Sequence, residues 1–190
     1  MATKHLLEME PVDPLMFRNV MGTFATGVAV VTSVADGVDH GMTMNALTSV
    51  SLEPCMLLIC PRRGSATGRA ISESGHFVVN ILTSDQNDLS SQFMGNFEDR
   101  FEGVDVESSY AGPMLAGALA HIGCRVSNIH TAGDHDIVLA EALFCNGSEG
   151  SPLLFFKGGL GGFAPEGATG SDVGWSKAPR RAGATGVAKF

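Results

Sequence analysis

The stretch Thr26-Gly27-Val28-Ala29-Val30-Val31-Thr32-Ser33-Val34 is rich in β-branched residues, Asp36-Gly37 follows it, and Asp39 to Met44 can run back alongside. An Asp-Gly pair accepts the positive φ values of the tight turns whose twist matches paired strands, so this segment reads as an antiparallel hairpin. A second hairpin is expected from Ala118–Ile129 and Asp136–Cys145, joined through Thr131-Ala132-Gly133-Asp134-His135. Single strands are expected at Pro54–Cys60, His76–Leu82 and Pro152–Lys157. Helices enter singly between them. Asp13-Pro14 offers a cap and a first-turn proline ahead of Leu15, Met16, Val20 and Met21, Ser65 opens a helix over 65–74, and Asp85 is placed to cap one carrying Leu89, Phe93 and Met94. Residues 95–117 read as irregular. Without strict strand–helix alternation a doubly wound parallel sheet is not expected, and a mainly β, antiparallel barrel with inserted helices fits better.

The 190 residues carry 12 Lys+Arg against 20 Asp+Glu, a formal charge of −8 that disfavours nucleic acid and anionic lipid as partners. The longest clearly apolar run, Cys55 to Cys60, falls far short of the roughly 18–20 residues that span a bilayer. With acids and a proline in the first eleven residues where a leader would be apolar, a cytoplasmic protein is expected. Cys55, Cys60, Cys124 and Cys145 form no Cys-x-x-Cys pair and lie in strand-like stretches, so they are expected as reduced core thiols. The expected organisation is an extension over 1–13, one domain over 14–163, and a Gly-rich tail over 164–190 that is mobile or held by a partner.

Three polar groups stand out. In Gly41 to Pro54, an extended chain would place Thr43, Asn45, Ser49 and Ser51 on one face and Met42, Met44, Ala46, Val50 and Leu52 on the other. Short uncharged hydrogen-bonding groups suit a planar heteroaromatic ligand, although any half-exposed strand shows the same alternation. Arg62, Arg63, Ser65 and Thr67 open a helix, where free N–H groups favour an anion, and a solvated basic turn with a serine cap has the same sequence. Gly133-Asp134-His135-Asp136 begins a strand. His130 and His135 without further ligands make a weak metal motif, and no metal is expected.

Thr26–Thr32, Gly41-Met42-Thr43-Met44-Asn45, Thr48–Pro54, Phe77-Val78-Val79-Asn80-Ile81-Leu82, Asp99-Arg100-Phe101, Gly133-Asp134-His135 and Pro152–Phe156 occur in one order. Over roughly residues 14–163 the chain thereby resembles the short-chain flavin reductases that supply reduced flavin to two-component monooxygenases. The resemblance implies a Greek-key split β-barrel of the FMN-binding type, a homodimer, and reduction of FAD or FMN by NADH, with NADPH as a second donor. It implies that reduced flavin reaches a flavin-dependent monooxygenase by diffusion. Carried over by position, Thr43, Met44, Asn45, Ala46, Ser49, Val50 and Ser51 would line the flavin ring and Ser65 would hold its phosphate. Arg100 and Phe101 would approach the adenosine half or the partner subunit, and Gly133 and His135 would face the nicotinamide, His135 being the catalytic residue. The Pro61-Arg62-Arg63-Gly64 turn departs from the common pattern and leaves the phosphate-binding side chain open. A non-catalytic flavin carrier on the same barrel is the alternative.

Overall fold

In a computed structural model, residues 11–95 and 99–163 are described, together with the backbone of Ser176 and Lys177. The first elements are α1 (Pro14–Met21), β1 (Thr26–Gly27), β2 (Ala29–Ala35), β3 (Val38–Met44), β4 (Leu47–Leu52), β5 (Cys55–Ile59), α2 (Ala66–Ser74), β6 (His76–Ile81) and α3 (Asn87–Met94). They are followed by β7 (Val106–Ser109), β8 (Gly112–Leu115), β9 (Ala120–Ala132), β10 (His135–Gly147), β11 (Leu154–Phe156), β12 (Gly159–Gly161) and β13 (Ser176–Lys177). A seven-stranded sheet runs β3-β2-β6-β9-β10-β5-β4, a four-stranded one β1-β11-β12-β13, and β7 pairs β8. Every pairing is antiparallel.

The hairpin turns follow from local chemistry. Asp36 and Gly37 take φ of 52° and 74°, and Ala35 lies opposite Val38, as a two-residue primed turn requires. The β9–β10 turn is tighter than expected: Ala132 pairs directly with His135, leaving Gly133 (φ 63°) and Asp134 as its only residues. Asp13 accepts from the Met16 backbone N–H at 2.8 Å and Ser65 from that of Gly68 at 3.2 Å, so both expected caps form. Asp85 does not cap. The N-cap of α3 is Gln86, whose side chain instead accepts from Thr83 N–H and donates to the Ala116 carbonyl, tying two loops together.

The first five residues of β2, Thr32 and Ser33 included, are buried because both faces of the strand are covered. Ala29 and Val31 join Met44, Ile59, Ile71 of α2, Phe77 and Val138 in one core cluster, while Val28 and Val30 join Phe93 of α3, Leu115, Leu153 and Phe155 in another. Asn80 stitches the layers: fully buried on β6, it donates to the Val30 carbonyl (3.0 Å) and to Thr32 Oγ1 (3.1 Å) and accepts from the Leu115 N–H (2.8 Å). The segment expected to be irregular therefore contains the β7–β8 hairpin, anchored to β6 by that last bond and to β2 by the Thr32 hydroxyl, which donates to the Pro113 carbonyl.

One further expectation is corrected. Cys124 is buried, and desolvation pushes its thiol up to about 12, but Cys55 and Cys145 are exposed, since they lie near strand ends where one sheet face is open. α1 forms as read, yet none of its residues is buried: Leu15, Met16, Phe17 and Val20 all face outward. No helix among the described residues is long and apolar enough to cross a membrane. Most of the Gly-rich tail, Trp175 included, lies outside the described residues, as does most of the 1–13 extension.

Candidate functional site

The three polar groups, separate in the sequence, meet at one corner of the large sheet. β5 lies between β4 and β10, with Leu47 opposite Ile59 and Val138 opposite Ile59 on the other side. Past Ile59 the chain keeps to this ladder. Cys60 N–H donates to the Ala46 carbonyl (3.1 Å), Asp136 N–H to the Pro61 carbonyl (3.0 Å), and Arg63 N–H to the Asp134 carbonyl (3.0 Å). Ala46, the Arg62–Arg63 turn and His135 are thus held in fixed relation by backbone hydrogen bonds alone.

The 43–51 stretch is not one extended strand. It breaks at Asn45-Ala46, and the β4–β5 register shifts between Ser49 and Ser51, a bulge that resets which side chains face inward. For this reason Val50 (48% exposed) and Leu52 (84%) point outward instead of sharing the inner face with buried Met44. Thr43 is buried and its hydroxyl donates to the Ser90 carbonyl at 2.7 Å, so only its backbone faces elsewhere. Asn45 Nδ2 donates to Thr26 Oγ1 (3.2 Å), and Ser51 Oγ accepts from Glu53 N–H (3.2 Å). Ser49 is exposed, and β4 is the edge of its sheet, so its backbone presents N–H and C=O groups outward.

A cleft beside this stretch is lined by Thr43, Met44, Asn45, Ser90, Phe155 and Leu160. The Ser90 hydroxyl is buried there with no hydrogen-bond partner among the described residues. Sequence reasoning passed over Ser90 because it is brought to β3 only by the packing of α3.

In the basic turn, Arg63 Nε lies 3.8 Å from Asp136 Oδ1 and its Nη1 3.5 Å from the Gly133 carbonyl, while Arg69 donates to the Gly64 carbonyl. The Ser65 oxygen accepts from Gly68 N–H, leaving its proton to donate outward. His135, its side chain 29% exposed, has Nδ1 2.9 Å from Asp134 Oδ1. That hydrogen bond, then the imidazole charge, holds the Asp134 carboxyl below its ordinary range, so it is an ionised acceptor. Nδ1 accordingly carries the proton, and Nε2, without a partner among the described residues, is the atom left to meet a ligand. No three His, Cys, Asp or Glu among the described residues lie close enough to hold a metal ion.

Arg100 and Phe101 pack against β3 and α3. Arg100 Nη1 donates to the Gly41 carbonyl (2.6 Å), and Phe101 meets Phe93 edge-on at 5.0 Å, over a Gly41 whose Cβ would fall 2.5 Å from the Phe93 ring. They fasten the segment after α3 to β3.

Residues 21–164 match the model of the flavin reductase like domain. The reductase subunit HsaB of a flavin-dependent monooxygenase from Mycobacterium tuberculosis is 39% identical over 159 residues, covering 82% of this chain and 85% of its own. The FMN reductase (NADH) SmoA of Agrobacterium fabrum is 40% identical over 149 residues, covering 78% and 85%. Among solved structures, the NADH:FAD oxidoreductase SgcE6 of Streptomyces globisporus, in complex with NAD and FAD fragments, superposes with a TM-score of 0.78 at 33% identity, covering 84% of this chain and all of that one.

Proposed function

The chain belongs to the flavin reductase like family, and we propose that it is an NAD(P)H:flavin oxidoreductase, favouring NADH, that reduces FAD or FMN and releases the product to a flavin-dependent monooxygenase. The observation that carries this reading is the backbone ladder joining Ala46, the Arg62–Arg63 turn and His135 at one corner. It gives a polar strand edge, an anion-favouring helix start and a histidine with a free ring nitrogen side by side.

When bound, reduced nicotinamide supplies a hydride and flavin accepts it; the protein's part is binding, orientation and placement of dipoles. Along the β4 edge, backbone groups of Ala46, Ser49 and Val50 hold the ring, aided by the Ser49 hydroxyl and by Ser51 and Met44, which set the backbone. Such donors are already ordered by the β5 ladder, so they stabilise developing charge without reorganising. Thr43 and Asn45 shape the adjoining cleft. Ser65 and the first turn of α2 take the flavin phosphate, the Ser65 hydroxyl donating while its oxygen keeps the cap. Gly133 permits the turn that sets His135 at the start of β10, and His135 Nε2 orients the nicotinamide. Arg100 and Phe101 act by holding β3 at Gly41.

The same reading curls the sheets into a split barrel and pairs two copies. The outward apolar row of α1 with Phe24, 69% exposed, supports a dimer, because such a row is unfavourable to leave in water. The barrel spans 14–163, flanked by the extension and the tail, and works in the cytoplasm, where nicotinamide nucleotides are available. Flavin is a substrate here, so it must leave after each turnover, and transfer by diffusion needs no docked oxygenase. A carrier on the same fold would instead retain it. Desalting the flavin-loaded protein separates the two: loss of most of the flavin is expected, and retention of one flavin per chain through the column would assign a carrier.

A further inference from the structure

We propose that Arg62 binds a phosphate of the reduced nicotinamide nucleotide and, with His135, selects that substrate; this rests on the assignment of His135 to the nicotinamide side. Arg62 and His135 are antiparallel bridge partners beyond the end of β5. The two hydrogen bonds that flank them, Asp136 N–H to Pro61 O and Arg63 N–H to Asp134 O, make theirs a non-hydrogen-bonded pair. In such a pair the Cα atoms approach to about 4.5 Å and both side chains stand on the same face of the sheet. A ligand lying on the His135 ring is therefore within reach of the Arg62 guanidinium, whose flexible stem extends beyond the ring.

The other cations nearby are engaged within the chain. Arg63 is drawn to Asp136 and the Gly133 carbonyl, and Arg69 to the Gly64 carbonyl. The Arg62 side chain is exposed and makes no hydrogen bond or ion pair among the described residues, and its charge contributes to holding the Asp134 carboxylate ionised. In a chain of net charge −8, the segment 61–72 holds three arginines and no acid, so the local field favours an anion. A guanidinium presents a planar fork that matches phosphate oxygens two at a time. Two phosphates are available to it, that of the nicotinamide nucleotide and that of the flavin. Its place across from His135, rather than on the Ser65 side of the turn, favours the first.

The test compares Arg62→Gln, Arg62→Lys and Arg125→Gln with the wild type. Arg125 is ion-paired to Glu141 on β9 and β10, so its variant carries the same change of net charge elsewhere on the sheet. NADH binding is read directly by nicotinamide fluorescence without flavin, KM and kcat are read with riboflavin as acceptor, and FMN and riboflavin binding by flavin fluorescence. In Arg62→Gln, loss of a charge-assisted bond is expected to raise both Kd and KM for NADH by about ten-fold or more, with kcat and both flavin affinities changed less than about two-fold. Arg62→Lys is expected to recover part of the loss, and Arg125→Gln to behave as wild type. A weakening confined to FMN would overturn the proposal by giving Arg62 to the flavin phosphate, and unchanged NADH binding would overturn it outright. Wild-type protein that binds NADH but never turns over would count against the enzymatic reading while leaving the Arg62 result standing.

Discussion

His135→Ala is expected to lower NADH-driven flavin reduction by roughly 10- to 100-fold, the penalty typical of a misplaced reacting partner, while the flavin dissociation constant moves less than about two-fold. The split follows from where the ring sits. In the proposed arrangement the β4 edge and the Ser65 turn hold flavin through groups that do not involve His135, whereas the imidazole, fixed through Nδ1 by Asp134, offers only Nε2 to a ligand. Removing it leaves the ladder intact, because the bonds of Pro61, Arg63, Asp134 and Asp136 are all backbone. Hydride transfer requires no proton to be taken by the protein to create a nucleophile, so the loss is one of orientation. Rates in excess flavin, with flavin affinity measured by fluorescence, check it. Equal losses in both would remove His135 from the nicotinamide side.

Asn80→Leu is expected to be the most destabilising single change considered, costing about 3 kcal/mol or more, because a buried group left without its partner typically costs 1–3 kcal/mol. The Leu115 N–H loses its side-chain acceptor, and the Val30 carbonyl and Thr32 Oγ1 each lose a donor, while the Thr32 hydroxyl keeps its bond to the Pro113 carbonyl. Leucine has the same number and branching of side-chain heavy atoms, so the change leaves no cavity and removes the polar network. Thermal melting should shift down by roughly 6–12 °C, at 2–4 °C per kcal/mol for a domain of this size. A shift of under about 2 °C would mean the β7–β8 hairpin is held by other contacts.

The elements legible in the sequence are those specified by neighbouring residues. Asp36-Gly37 carries its own turn chemistry, and Asp13 and Ser65 cap the helices that directly follow them. What was not legible depends on distant partners. Val106-Glu107-Ser108-Ser109 has no alternating apolar pattern, and it is strand because β8 beside it is bonded to Asn80 and Thr32. Val50 and Leu52 face outward through a bulge defined by pairing with β5, which no period-two reading anticipates. At the site, the residue types were readable but their arrangement was not. Arg62 and His135 become neighbours only because β10 pairs with β5, and the Ser90 hydroxyl reaches the cleft only through the packing of α3 against β3. Arg100 and Phe101 carried a ligand-facing expectation from resemblance, and their contacts to Gly41 and Phe93, made across the sequence, were not readable from it.

The most direct test is the initial rate of NADH and NADPH oxidation by the purified protein with FAD or FMN in large molar excess. The account predicts many turnovers per chain with either flavin, faster with NADH, and accumulation of reduced flavin free in solution when oxygen is excluded. Oxidation that stops after one equivalent per chain, with the flavin still bound, would contradict it and make the protein a flavin carrier.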